Sequence, residues 1–393
     1  MKIGFLGDGL NLLSGSAKPL FGLMASLENQ GHQSHMLSSR LPENLEKINL
    51  ELIKKNQYGH LKLNRTAETI LNGLLKRNKN IVSEIELFCD NSDLLVCTDF
   101  SLPWLLKRNQ FRPEIPLIFV ASNNLKLKGG YLVKSGIGSF VNLIKPSFFS
   151  KLLIPDFIYS SALSKFDHII ATSHFVKQSF EEMGIISPIT VLPVGIKIPS
   201  QSQEYLENEE SFSFFGWGSG IRGLQDVLSA FELYRSDGGL YKLKLFLQGH
   251  HGYEEHVFVR KIKKLKYSRN IEIQFFTTDI EKSILSSNAV ILPFRVPFGY
   301  SQPPLTILES MALGKVVIST NIGSIPEIIT DSENGFLVRP ADPKKIANIL
   351  LTLNDEVTGK IGGNAFYTIK NQYSWDIVSK RYSNLFEQLG GSS

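Results

Sequence analysis

Short apolar runs, separated by longer mixed segments, recur along most of this chain. Such runs are typical of strands that are buried on both faces of a parallel sheet, and the segments between them are typical of helices. The alternation therefore predicts an α/β fold built from doubly wound parallel sheets. The predicted strands are Ile3–Leu6, Leu94–Val96, Leu117–Val120, His168–Ala171, Ile189–Leu192, Ser213–Phe215, Leu243–Leu247, Ile271–Phe275, Ala289–Leu292 and Val316–Ile318.

The pattern breaks near the middle of the chain. Pro193 and Gly195 interrupt it, and a polar, acidic stretch follows them. Because Pro and Gly mark the ends of regular elements, and polar stretches are typical of linkers, we place a domain boundary here. The sequence predicts a first α/β domain over residues 1–195 and a second over residues 196–372.

The tail of the chain predicts one more helix, over residues 373–390. Its apolar residues recur every three or four positions, which gives a helix one apolar face. We expect that face to pack on a domain. The apolar residues are Trp375, Val378, Tyr382, Leu385 and Phe386.

Composition excludes several classes of protein. The chain is 42% hydrophobic and 20% charged, which excludes a disordered chain. Its two cysteines are too few for a disulfide scaffold, so a reducing compartment is expected. No secretory signal and no long uncharged apolar run appear, so we expect a cytoplasmic protein without a membrane-spanning helix, either free or peripheral to a membrane.

The most informative window begins after the strand Ala289–Leu292. A loop rich in Pro and Gly follows, and a helix is predicted to begin near Pro304 or Leu305, with Glu309 about one turn in. The N-terminus of a helix offers free N–H groups and partial positive charge, which suit a phosphate. The alternative is an ordinary strand–loop–helix unit with a surface glutamate.

A second window follows the strand Ser213–Phe215. Its glycine-rich loop, Gly216 to Gly223, delivers Arg222 just before a helix. Glycines let backbone approach a ligand closely, and arginine can direct two donors at phosphate oxygens. The alternative is a surface turn with a solvated arginine. A weaker pair of glycine and serine clusters follows the first strand, at residues 7–16.

Together these windows resemble family 4 glycosyltransferases. The resemblance is carried by Leu-Glu-Ser-Met-Ala-Leu-Gly at residues 308–314, by Phe215-Gly216 with Arg222-Gly223, and by Gly335-Phe336-Leu337-Val338. It implies the GT-B fold, in which two Rossmann-like domains face a cleft and the C-terminal helix crosses back to the first domain. It also implies a retaining enzyme that uses a nucleotide-diphosphate sugar and needs neither a metal ion nor another cofactor.

The resemblance assigns roles to particular residues. It implies that Arg222 and Glu309 act as catalytic residues, Arg222 on the diphosphate and Glu309 on the ribose hydroxyls. The first domain would contribute backbone N–H groups, and the base would lie near residues 276–278. The implied donor contacts are Gly15, Ser16, Gly216, Arg222, Phe276, Thr278, Ser301, Leu305, Thr306 and Glu309.

The chain departs from the family pattern at two donor positions. Ser301 stands where the family has its first glutamate, and Trp217 stands where it has a loop arginine. One of two phosphate cations is therefore missing unless Arg295 or another group replaces it. Two hypotheses remain open: an active hexosyltransferase of cell-envelope or exported polysaccharide synthesis, and a catalytically weakened GT-B protein that acts as a binding or regulatory partner. An epimerase acting on the nucleotide sugar fits the sequence less well.

The net charge of +5 lies entirely in the first domain, where residues 1–195 hold 21 Lys+Arg and 16 Asp+Glu. Residues 115–155 contain no acid, and their lysines alternate with aromatic and aliphatic residues. Such a segment can lie on an anionic membrane and receive a glycan or lipid-linked acceptor, or it is an ordinary basic surface. The lysines assigned to this role are Lys126, Lys128, Lys134 and Lys145.

Nucleic-acid and metal sites are not expected. The basic segment lacks a recognisable DNA or RNA motif. The histidine-rich stretch at residues 248–256 does not have the spacing of a zinc helix, so we predict a polar loop there rather than a metal site.

Overall fold

The structure is a computed structural model that describes residues 1–7, 17–38, 58–60, 87–98, 113–122, 156–199, 210–217, 220–248, 259–275, 279–297 and 303–391. The described residues form two compact units. The first contains those up to Gly195 together with those from Trp375 onward, and the second contains those from Ile196 to Ser374.

The first unit is built on a parallel sheet whose described strands have the order β3-β2-β1-β4-β5-β6-β7. The strands are β1 Lys2–Gly7, β2 Gln33–Ser38, β3 Tyr58–His60, β4 Leu94–Cys97, β5 Leu117–Ala121, β6 His168–Ala171 and β7 Ile189–Val191. Its helices are α1 Ala17–Glu28, α2 Asp156–Leu163 and α3 His174–Glu181.

The second unit has a parallel sheet with the strand order β10-β9-β8-β11-β12-β13. The strands are β8 Ser211–Trp217, β9 Lys242–Gln248, β10 Ile271–Phe275, β11 Ala289–Leu292, β12 Val316–Thr320 and β13 Phe336–Val338. Its helices are α4 Leu224–Ser236, α5 Ile280–Leu285, α6 Leu305–Ala312, α7 Pro343–Thr352 and α8 Asp355–Gln372. In both sheets the order reverses beside the first strand of the unit, as in doubly wound folds, which confirms the predicted fold class.

The apolar pattern explains why these segments form these elements. All four residues of β11 and all five of β12 are buried, as expected of strands covered on both faces. Helix α4 buries Leu224, Val227, Leu228 and Phe231, whose spacing places them on one face against the sheet. Burial of this apolar surface is the main favourable term in folding each unit.

The last helix, α9 Trp375–Gly390, belongs to the first unit and packs on α1. Val378, Tyr382 and Phe386 are at most 3% exposed, so the predicted apolar face is confirmed and the helix returns to the first domain as expected. Tyr382 donates its hydroxyl to the Leu192 carbonyl at 3.3 Å, and burial raises the pKa of Tyr382.

Trp375 anchors the start of α9. A Cβ atom added at Gly22 or at Gly195 would overlap its indole ring, so the ring fills the space that these two glycines leave. Trp375, one of the predicted apolar residues of this helix, therefore packs against the core of the first unit. Within the described ranges, no helix combines the length and the apolar character that crossing a membrane requires.

Candidate functional site

The candidate site lies at the carboxyl ends of β8 and β11 in the second unit. The two strands are paired in parallel, Ala289 opposite Phe212 and Val290 opposite Ser213. The strand order reverses between them, so the chain leaves β8 in one direction and β11 in the other. Open α/β sheets bind ligands in the crevice that this reversal creates.

The loop after β8 is shaped by glycine. A 3-10 turn, Gly220–Arg222, leads to Gly223, which precedes α4 with a φ of +75°. Only glycine adopts this conformation without strain. A Cβ atom at Gly223 would also overlap the carbonyl oxygen of Pro293 in the loop after β11. The two loops are therefore in direct backbone contact.

Arg222 lies at this contact. The centre of its guanidinium group is 5.2 Å from the ring centroid of Phe294, which is within the range of a cation–π interaction. Phe294 is 1% exposed and Arg222 is partly exposed. A Cβ atom at Gly216 would lie 3.6 Å from Cγ of Arg222, so the structure brings these two predicted residues together.

Arg295, one residue beyond Phe294, is bonded to α4. Its Nε donates to Oδ2 of Asp226 at 2.8 Å, and its Nη2 donates to Oδ1 at 2.6 Å. These hydrogen bonds raise the pKa of Arg295 above its usual value. The charge of Arg295 is therefore offset by Asp226, and two of its guanidinium donors are used within the site.

Helix α6 begins at Leu305 and follows Pro304, as predicted. The Pro304 carbonyl accepts from the N–H of Ile307 at 3.1 Å, so the N–H groups of Leu305 and Thr306 precede the first bond of the helix and can serve a ligand. Glu309 follows one turn later and is partly exposed. Thr306 is also partly exposed, whereas Leu305 is buried, so Leu305 can contribute its backbone rather than its side chain.

Two hydroxyl groups of β12 hold the loop after β11. Ser319 donates to the Leu292 carbonyl at 2.7 Å, and Thr320 donates to the Phe294 carbonyl at 2.7 Å. Sequence reasoning missed both residues, as it missed Asp226. One signal was available for Asp226, because it lies among the apolar positions of α4, where a charged residue is expected to have a buried partner.

Several predicted site residues lie outside the described part of the chain. They are Gly15, Ser16, Phe276, Thr278, Ser301, Lys126, Lys128, Lys134 and Lys145, and the histidine-rich loop lies almost wholly outside it as well. Among the residues that the structure does describe, no group of three or more His, Cys, Asp or Glu side chains could hold a metal ion.

Comparisons with known proteins relate the chain to glycosyltransferases. Residues 200–358 match the family model described as "Glycosyl transferases group 1". An uncharacterized glycosyltransferase of Methanocaldococcus jannaschii is 23% identical over 309 residues, which cover 74% of this chain and 76% of that protein. The O-antigen chain mannosyltransferase B of Escherichia coli is 26% identical over 204 residues, which cover 52% of this chain and 51% of that protein.

A solved structure extends the likeness over both domains. HepE of Anabaena, in complex with UDP and glucose, has a TM-score of 0.73 and 16% identity over 99% of this chain and 100% of that one. At this identity the likeness establishes the fold alone, and that fold is GT-B. The expected resemblance is confirmed: the chain has the GT-B fold, residues 200–358 match the group 1 glycosyl transferases, and the relatives it is similar to are glycosyltransferases.

Proposed function

We propose that the chain transfers a sugar from a nucleoside-diphosphate sugar to a glycan or lipid-linked acceptor, with retention of anomeric configuration and without a metal ion. The observation that carries the proposal is the position of Arg222. It lies against the loop that leads into α6, so a guanidinium group and a helix N-terminus serve the same end of the sheet. Both bind phosphate well.

In this proposal, Arg222 and the N–H groups of Leu305 and Thr306 hold the diphosphate. Negative charge develops on the leaving diphosphate as the bond between sugar and phosphate breaks, so these fixed donors stabilise the transition state more than the ground state. Glu309 accepts hydrogen bonds from two ribose hydroxyls, which a carboxylate can do at once. The remaining proposed donor contacts are Gly15, Ser16, Gly216, Phe276, Thr278 and Ser301.

The proposed substrates agree with what the similar proteins handle. HepE was solved with UDP and glucose, and the Escherichia coli relative is named for O-antigen chains. These names support a nucleotide-sugar donor and a role in cell-envelope or exported polysaccharide synthesis. The chain has two cysteines, too few for a disulfide scaffold, which suits a reducing compartment, so we place the reaction in the cytoplasm.

The donor site is tested by thermal denaturation in the presence of UDP, GDP and ADP. We expect one of them to raise the melting temperature by several degrees, since a ligand at a hundred times its Kd stabilises the folded state by about 2.7 kcal/mol. The Arg222→Ala variant is expected to lose that shift. Arg269→Ala is the matched control, because Arg269 is exposed and precedes β10, at the opposite end of the sheet. The proposal fails if no nucleotide shifts the wild type, or if Arg222→Ala keeps the full shift.

Part of the basic segment, Leu117–Ala121, is the largely buried strand β5. We further propose that the part that bears the lysines, from residue 126 onward, docks on an anionic membrane from which the acceptor is taken. Replacing Lys126, Lys128, Lys134 and Lys145 with glutamine is expected to weaken binding to anionic vesicles on the order of a thousandfold, at about 1 kcal/mol per lysine. A matched control replaces four exposed lysines of the second domain with glutamine and should leave vesicle binding unchanged. These are Lys261, Lys263, Lys264 and Lys266. Equal binding of the wild type to neutral and anionic vesicles would contradict the proposal.

A further inference from the structure

A buried ion pair joins the two loops of the candidate site. It consists of Asp226 on α4, whose side chain is 4% exposed, and Arg295 in the loop after β11, whose side chain is 20% exposed. Two hydrogen bonds, of 2.8 Å and 2.6 Å, connect the guanidinium group to both carboxylate oxygens. A planar guanidinium group and a planar carboxylate form two parallel hydrogen bonds in only one relative orientation. The pair therefore fixes the position of one loop relative to the other.

Arg295 is hydrogen-bonded to the chain on both sides of Arg222. Its backbone N–H donates to the carbonyl of Ile221 at 2.9 Å, one residue before Arg222, and its side chain reaches Asp226, four residues after it. Phe294, directly before Arg295, is the ring that the Arg222 guanidinium covers at 5.2 Å. The ion pair therefore determines where this ring lies relative to Arg222.

The pair is poorly suited to bind an anion itself. Two donors of Arg295 are used by Asp226, and the two charges offset each other. Buried ion pairs also add little net stability compared with apolar residues of similar volume, because both charges must be taken out of water. A positioning role accounts for the pair better than either phosphate binding or stability.

We propose that Asp226 and Arg295 are positioning residues that hold Arg222 in the orientation in which it binds the donor diphosphate. This inference rests on the proposed function, since it requires Arg222 to contact phosphate. It predicts that disturbing the pair weakens the binding of phosphate groups and leaves the binding of the nucleoside unchanged.

The test measures Kd by titration for the diphosphate that shifts the melting temperature (UDP, GDP or ADP) and for its nucleoside. Asp226→Asn is expected to weaken diphosphate binding about tenfold, which is an ordinary coupling between neighbouring residues, and to leave nucleoside binding unchanged. Arg295→Lys is expected to act in the same direction. It keeps the positive charge beside Asp226 and loses the fork, so it tests the geometry in a chain whose buried charge is still paired.

A double-mutant cycle separates positioning from a general structural effect. In the Arg222→Ala background, Asp226→Asn should weaken diphosphate binding no further, because the group through which it acts is gone. Glu272→Gln is the control, since it breaks the exposed 2.9 Å ion pair with Lys242 in the same domain and should change no Kd.

Three outcomes would overturn the inference: equal loss of nucleoside and diphosphate binding in Asp226→Asn, an undiminished effect of Asp226→Asn in the Arg222→Ala background, or wild-type affinity in both Asp226→Asn and Arg295→Lys. If Arg222→Ala itself binds the diphosphate as the wild type does, the proposed donor site fails. If Arg222→Ala weakens binding and the ion-pair variants do not, only this inference fails.

Discussion

Arg222→Ala is expected to lower kcat/KM for the nucleotide sugar by about a thousandfold, the upper range for removal of one fixed donor to a developing negative charge. The effect should be large because Arg295, the arginine in the neighbouring loop of the site, is paired with Asp226 at 2.6 Å. Arg222→Lys should have a kcat/KM between those of the wild type and Arg222→Ala, since lysine keeps the positive charge but cannot direct two donors at the phosphate. The measurement is initial-rate kinetics with the donor that passes the melting test.

Two variants keep this result interpretable. Glu309→Gln should mainly raise KM, because the amide can still accept one hydrogen bond from a ribose hydroxyl. Arg269→Ala should have wild-type kinetics, because its exposed side chain lies at the amino end of β10. Equal kcat/KM for Arg222→Ala and the wild type would show that Arg222 does not bind the donor. A wild type that binds nucleotide but turns over no donor would instead favour the catalytically weakened partner.

The sequence predicts those parts of the fold that local pattern specifies. The strands Ile271–Phe275 and Ala289–Leu292 match their predicted bounds, because an apolar residue stands at each end of both strands. Strand β2, Gln33–Ser38, was missed because its sequence is polar. Its residue His35 lies 2.7 Å from the hydroxyl of Ser92, 57 residues away, and that partner is invisible to a local pattern.

In the candidate site, too, features that local sequence specifies are predicted, and contacts between distant residues are missed. Arg222 and Glu309 were predicted because each follows a strand and lies in a short recognisable motif. The pair of Asp226 and Arg295 spans 69 residues and exists only because β8 and β11 become neighbours in the sheet. The β12 hydroxyls that hold the second loop were missed for the same reason, since Ser319 reaches a carbonyl 27 residues away.

Trp375→Ala is expected to destabilise the first domain by about 3 kcal/mol, the lower range for truncating a large aromatic side chain in a core. The indole fills the space over Gly22 and Gly195 and packs on the core shared by α1 and α9, so its removal leaves a cavity there. Chemical denaturation should show a lower midpoint for the first domain. Tyr367→Ala is the control, because Tyr367 is an aromatic residue of α8 that is 70% exposed.

A second substitution at Gly22 tests whether the cavity is the cause. In the wild type, Gly22→Ala should be destabilising, because the added Cβ would overlap the Trp375 indole. In the Trp375→Ala background the same change should be stabilising by up to about 1 kcal/mol, because alanine is favoured over glycine within a helix and the new methyl group occupies vacated space. An effect of Gly22→Ala with the same sign in both backgrounds would show that Trp375 does not fill the space over α1. The reversal of sign is specific to direct packing, since a general loss of stability would make both changes unfavourable.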